Sequence, residues 1–256
     1  MVKGIEKFRE YFGDFTDQYI IIGGLARDFA MSEAGFTPKG TKDIDVVLMV
    51  EALSFDFARR FWGFIKSANY RGKEADEGRR KYYRFTNPEQ EDFPAEIELF
   101  SRKPDNIQIP EGINLTPIPT DGSLSNLSAI MLDDDYYNFI LDHCTIYKGL
   151  PLANTEALIC FKAIAWLDLT ERKEKGESID SRKINKHKTD IFRLGATLAT
   201  ADVFYLSDAI KSDLQRFINQ LNGQLPGKEI FKSMGLAGLT ADQVLQQLVS
   251  SFKLNE

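Results

Sequence analysis

Cysteine is nearly absent from the chain: Cys144 and Cys160 are the two in 256 residues. Both lie in apolar surroundings with no partner at metal-ligand spacing, so buried thiols in a reducing compartment are expected rather than a disulfide or a zinc site. Long apolar runs are missing as well. No stretch of about 18 apolar residues occurs, so no helix is expected to span a membrane. The stretch MVKGIEKFREYFGDF alternates charges with Phe and Tyr around no apolar centre, so no secretory leader is expected and the expected address is the cytoplasm. Basic charge is not in excess either. With 32 Lys and Arg against 38 Asp and Glu the net charge is -6, which argues against a surface uniformly built for nucleic acid. Neither an internal repeat nor a low-complexity tract occurs.

Core material is plentiful. A hydrophobic content of 43% with 19 Phe suffices for one large domain or two modest ones without covalent staples. Basic residues gather locally, at Arg79, Arg80 and Lys81 and again from Glu171 to Arg193, where eight Lys and Arg face five Asp and Glu, a net of +3. Such patches are usually solvated faces and decide nothing alone.

Periodicity divides the chain. Residues 5–13 predict an amphipathic helix, Gln18 to Ile22 a strand ending at Gly23-Gly24, and Leu25 to Ala34 a helix closed by Gly35. A second strand is expected from Asp43 to Val50, then a helix capped by Ser54. Two more strands are expected at Lys81 to Thr86 and Ala95 to Ser101, around the polar turn NPEQEDFP. Prolines and glycines interrupt regular structure from Pro104 to Pro119. Further strands are expected around SAIMLDDDYYNFIL and HCTIYKGLPLA, with turns at Asp133 to Asp135 and at Gly149. Beyond Thr155 the periodicity is helical throughout. The expected class is therefore α+β, with a mixed β-sheet core and its helices over residues 1–150 and a C-terminal helical bundle over 151–256.

Asp43 and Asp45 stand inside an apolar strand, where charge is costly. Residues two apart share a strand face, so both carboxylates project together while Ile44 and Val46 pack behind them. At about 4 Å and an effective dielectric near 20, two such charges repel by roughly 4 kcal/mol. A positive partner is needed. Mg2+ suits, because it takes one or two carboxylates and completes its octahedron with water and substrate phosphates. AEIELFS adds Glu96 and Glu98 at the same alternation, and three carboxylates on adjacent strands form a two-metal cradle. Upstream, Gly23-Gly24 opens a helix whose exposed N–H groups can hold a phosphate.

The order of these parts, an apolar strand, Gly-Gly, a helix, Asp-Ile-Asp and a later IEL, resembles the polymerase-beta-type nucleotidyltransferase superfamily. It is most similar to the AbiEii-like nucleotidyltransferases, which include toxins of toxin-antitoxin systems. IIGGLARDF, GTKDIDVVL, IELFS, TEALICFKAIAW and KHKTDIFRL carry the resemblance, over roughly residues 18–200. It implies a nucleotidyltransferase-type core and a helical half that closes the nucleotide cleft. It implies Gly23 and Gly24 as the phosphate-binding turn, and Asp43, Asp45 and Glu98 as catalytic metal ligands for two Mg2+ ions, with Glu96 the alternative third acid. The gap from Gly24 to Asp43 is longer than in the minimal motif, and Glu stands where Asp is usual.

Lys162 is the only charged residue from Ala157 to Leu167. It is either a lysine snorkelling from a buried helix or a cation aimed at a phosphate. On KINKHKTDIFRL, Ile184, His187, Ile191, Leu194 and Leu198 fall at core spacing, which makes His187 a boundary histidine and leaves Lys186, Asp190 and Arg193 on another stripe. Lys186 and Asp190 can pair on the helix surface. The resemblance instead assigns a Lys/Asp motif on a late helix to the active cleft, so Lys186 and Asp190, with Lys188 as a further candidate, are expected to bind the nucleotide or orient the acceptor, and Lys162 is expected to reach a phosphate of the nucleotide. The implied activity is transfer of a nucleoside monophosphate from an NTP, such as ATP, to an acceptor hydroxyl. The acceptor is a tRNA 3' end, a protein side chain or a small molecule, and a protein antitoxin is an implied partner. The alternatives are a non-catalytic nucleotide-sensing or protein-binding module on the same fold, and a metal-dependent phosphohydrolase.

Overall fold

A computed structural model describes residues 3–72, 83–103, 115–117 and 128–254. The chain forms two compact units, Met1–Asp28 with Lys39–Ala153, and Phe29–Pro38 with Asn154–Glu256. The class is α+β, a mixed sheet with helices followed by C-terminal helices.

In the first unit the described strands are β1 (Tyr19–Ile22), β2 (Asp43–Leu48), β3 (Arg71–Gly72), β4 (Arg84–Thr86), β5 (Glu96–Ser101), β6 (Leu115–Pro117), β7 (Ser128–Met131), β8 (Cys144–Tyr147) and β9 (Leu150–Ala153). The main order is β3-β4-β5-β2-β1-β9-β8, with β7 pairing β5 and β6 pairing β7. β1 is central and all four of its residues are buried, which explains why it reads as an unbroken apolar run and not as an alternation. It runs antiparallel to β2 and parallel to β9, while β2 runs parallel to β5.

An aromatic core lies on one face of this sheet. Helices α1 (Ile5–Phe12) and α3 (Phe55–Ser67) bring Phe8, Phe12 and Phe57 against the ring of Tyr19, with centroids 5.6, 6.2 and 6.1 Å away. Phe64 adds to the cluster from α3, 5.3 Å from Phe12 and 4.7 Å from Phe93. Such tilted and edge-on pairs add about 0.5–1.5 kcal/mol each beyond area burial. Strand alternation puts Ile21, Ile44, Val46, Ile97 and Leu99 on the same face as Tyr19, and all are buried. Ser54 caps α3, accepting from the Phe57 N–H at 3.1 Å.

Two strand-rich expectations had different outcomes. At HCTIYKGLPLA the hairpin β8–β9 forms, and its two-residue turn, Lys148-Gly149, has φ of 51° and 75°. Those positive angles match the twist of the flanking strands. At SAIMLDDDYYNFIL only β7 is a strand. The segment after it is helix α4 (Asp134–Asp142), because the Asp133 carboxylate accepts from the Asp135 N–H at 2.9 Å as an N-cap and Tyr136, Tyr137, Phe139 and Ile140 then form one buried side. The expected turn at Asp133 to Asp135 is the start of that helix. The Lys81 end of the expected third strand, the Arg79-Arg80-Lys81 patch and most of Pro104 to Pro119 lie outside the described residues.

Helix α2 (Gly23–Glu33) begins at the glycines themselves, two residues earlier than expected, and the division between units falls within it after Asp28. The second unit otherwise contains α5 (Thr155–Glu174), α6 (Ser181–Gly195), α7 (Asp208–Gln220), α8 (Glu229–Lys232) and α9 (Ala241–Ser251). The buried residues of α5 run from Glu156 to Leu167, and its last turn is exposed. Trp166 on α5 packs edge-on against Phe217 of α7, 5.2 Å away. α6 and α9 approach closely at Gly195, where an added Cβ would lie 2.9 Å from Val244 Cγ1. Asp180, Ser207 and Thr240 cap α6, α7 and α9. Among the described residues no helix is long and apolar enough to cross a membrane.

Candidate functional site

Sheet register decides where the acids go. On β2, Asp43 is exposed and Asp45 half-buried, with Ile44 buried between them. The parallel pairing of β2 with β5 sets Asp43 opposite Glu96 and Asp45 opposite Glu98. Directly paired residues of neighbouring strands share a face. The four carboxylates therefore stand together on the sheet face opposite the aromatic core, which is why two aspartates are tolerated in an apolar strand. Both glutamate side chains are 22% exposed.

A cation reaches this face from the next strand. Arg84 of β4 is paired in register with Glu98, and its guanidinium lies between the glutamates, Nη2 at 2.6 Å from Glu96 Oε1 and Nε at 3.3 Å from Glu98 Oε1. Phe85, the next residue, turns to the core face and packs on Phe61, 5.4 Å away. Arg84 does not cancel the acidity. Burial first, and then the Asp45 charge, push the Glu98 carboxyl up to about 7, with Glu96 and Asp43 adding and Arg84 opposing. Carboxylates crowded in low dielectric hold a proton in this way.

Glycine is required where β1 meets α2. Gly23 has φ of 69°, and a Cβ there would lie 1.8 Å from Asp45 Oδ2. The turn and the Asp45 carboxylate thus interlock, and no larger residue fits between them. A Cβ at Gly24 would meet Thr41 Oγ1 at 3.1 Å. The Asp43 N–H donates to the same Thr41 hydroxyl at 3.3 Å, which ties the start of β2 to the glycine turn.

The remaining expected residues belong to the second unit. Lys162 of α5 donates to Asp190 Oδ2 of α6 at 3.1 Å, and the two side chains are 7% and 0% exposed. Asp190 is therefore a buried residue of α6, not part of a surface stripe with Lys186, because the ion pair draws it inward. Lys186 is exposed, and Lys188 donates to the Gln224 carbonyl at 2.9 Å. His187 is half-buried as expected. Burial, and then the neighbouring Lys162 charge, lower its pKa to about 4, so it is neutral at pH 7 and suits a structural place better than proton transfer.

Of the expected residues, the structure brings Gly23, Gly24, Asp43, Asp45, Glu96 and Glu98 together in the first unit, and Lys162 and Asp190 together in the second. Arg84 and Thr41 were not anticipated. Their only sequence signals are a basic residue alternating with the apolar Phe85 and a hydroxyl two positions before Asp43. Arg27 and Asp28, both buried and paired at 2.5 Å within α2, also escaped notice.

Among the described residues, no three His, Cys, Asp or Glu side chains are already gathered closely enough to hold a metal ion. The donor set nevertheless fits a hard divalent cation: carboxylates only, on one face, with a guanidinium lying between two of them in a cation's place. No protein-family model matches the chain, and no curated protein matches it.

Proposed function

We propose that the protein is a metal-dependent nucleotidyltransferase that moves a nucleoside monophosphate from an NTP to an acceptor hydroxyl and releases pyrophosphate. The observation that carries this reading is the register of β2 and β5, which sets Asp45 opposite Glu98 and beside the Gly23 turn. Carboxylates and a glycine-lined helix start are the two kinds of group that a triphosphate with its cations requires. Asp43, Asp45 and Glu98 would hold two Mg2+ ions, which when bound neutralise the triphosphate and lower the pKa of the attacking oxygen.

The chain's own groups then have distinct tasks. Gly23 and Gly24 let backbone N–H groups approach a phosphate where a side chain would block it. Thr41 holds Asp43 to that turn. Glu98 is assigned to the attacking hydroxyl. Lys162, Lys186 and Asp190 are assigned to nucleotide binding on the resemblance to the AbiEii-like enzymes. The acceptor is a tRNA 3' end, a protein side chain or a small molecule. A toxin role, with a protein antitoxin as partner, rests on the same resemblance.

A second reading, a non-catalytic nucleotide-sensing or protein-binding module, has one observation in its favour: Arg84 already engages Glu96 and Glu98 without an added cation. Incubation with each of four α-labelled NTPs, Mg2+ and a cell extract separates the two. Transfer predicts label in RNA, protein or a small product, lost in Asp43→Ala/Asp45→Ala. No label from any of the four, or equal labelling by that variant, contradicts it.

A further inference from the structure

We infer that Arg84 is a positioning residue that competes with the divalent cation: its guanidinium keeps Glu96 as a fixed partner and yields Glu98 to the metal. This rests on the metal-site reading above and adds a control to it. Three strands argue for it. Glu98 stands on β5 with Arg84 directly opposite on β4 and Asp45 directly opposite on β2. Neighbouring strands are about 4.8 Å apart, so Glu98 can turn to either side, toward a guanidinium or toward the aspartates.

The guanidinium's two contacts are unequal. Nη2 to Glu96 Oε1 is 2.6 Å, a short charge-assisted bond, whereas Nε to Glu98 Oε1 is 3.3 Å. Glu96 is opposite Asp43, at the exposed start of β2, and Glu98 is opposite Asp45, the carboxylate locked against Gly23. The weaker hold thus falls on the glutamate nearest the glycine turn. This asymmetry favours Glu98 over the alternative Glu96 as the third acid, with Glu96 anchoring Arg84 and Glu98 able to exchange one cation for another. Arg84 also offsets part of the charge of the acidic face before metal arrives. Its side chain is 37% exposed, so it can swing into solvent without disturbing Phe85 and the core behind it.

Mn2+ titrated into metal-stripped protein without nucleotide, followed by the electron paramagnetic resonance signal of free Mn2+, tests the inference. Removing one unit charge a few ångströms from the ion predicts that Arg84→Met binds Mn2+ about tenfold more tightly than the unmutated protein. Glu96→Gln, which loosens the anchor and lets the guanidinium settle on Glu98, is expected to weaken binding about threefold on the same grounds. Should Arg84→Met fail to fold by circular dichroism, Arg84→Gln serves, because it also removes the unit charge while keeping a polar side chain, and binding should still tighten. Unchanged or weaker Mn2+ affinity in the folded Arg84 variant, with binding still abolished by Asp43→Ala/Asp45→Ala, overturns the role of Arg84 alone. Mn2+ binding that survives the double aspartate substitution overturns the metal site beneath it.

Discussion

Glu98→Gln offers a test that needs no substrate. In the folded, metal-free protein the Glu98 carboxyl is moved from 4.5 to about 7, chiefly by burial and then by Asp45. Between those values the folded protein keeps a proton that the unfolded chain has released, so stability falls as pH rises through that window and the loss is complete above about 7. At about 1.36 kcal/mol for each pH unit the full difference is on the order of 3 kcal/mol. The side chain is 22% exposed, and solvent screening reduces this to about 1–3 kcal/mol. Glutamine keeps the neutral shape at every pH. In urea denaturation with EDTA present, the variant should match the unmutated protein near pH 4.5 and exceed its stability by that amount at pH 8. Titrating groups that do not interact with Glu98 are common to both proteins and cancel in the difference. A variant less stable at pH 8, or a difference that does not change with pH, refutes the view that burial beside like charge holds the Glu98 proton.

His187 titrates in the opposite sense. Its folded pKa near 4 lies below the ordinary 6.5, so stability falls as pH drops through that range, and His187→Gln should lose about 1–2 kcal/mol less than the unmutated protein between pH 7 and 4.5 in urea melts. Lys162→Met or Asp190→Asn leaves one buried charge without its partner and should cost about 3–5 kcal/mol, while Lys162→Met/Asp190→Leu recovers much of that stability. If the pair serves nucleotide binding as well as packing, the refolded double variant stays inactive in the labelling assay; restored activity would make the pair structural only. Gly23→Ala forces a Cβ onto Asp45 at a positive φ and should cost more than 2 kcal/mol by thermal or urea unfolding. Gly63→Ala, inside α3 with open space around its added methyl, should instead stabilise by about 0.5–1 kcal/mol.

Local structure was legible wherever one residue's neighbours in the chain decide it. β1 showed as a β-branched run stopped by Gly-Gly, β2 and β5 as alternations, and α5 to α7 and α9 as helical periodicity. α4 was missed because Tyr136, Tyr137 and Phe139 favour strands by composition, while the deciding signal was the Asp133 cap. For the site, Asp43 and Asp45 could be placed on one strand face from their spacing alone. Which glutamate faces which aspartate could not, since that depends on pairing between strands more than 50 positions apart. Arg84 was invisible for the same reason: its meaning comes from β4 lying next to β5. The Lys162–Asp190 pair joins two helices 28 positions apart, and a surface pairing of Asp190 with Lys186 was equally consistent with the spacing.

The most direct measurement follows two labels in one reaction. An NTP carrying one label on its α-phosphate and another on its γ-phosphate is incubated with the protein, Mg2+ and the acceptor fraction. The account predicts α-label joined to the acceptor and γ-label released as pyrophosphate in equal amounts, both lost in Asp43→Ala/Asp45→Ala. Release of γ-label as inorganic phosphate, with α-label left on a nucleoside diphosphate and no acceptor marked, would contradict it.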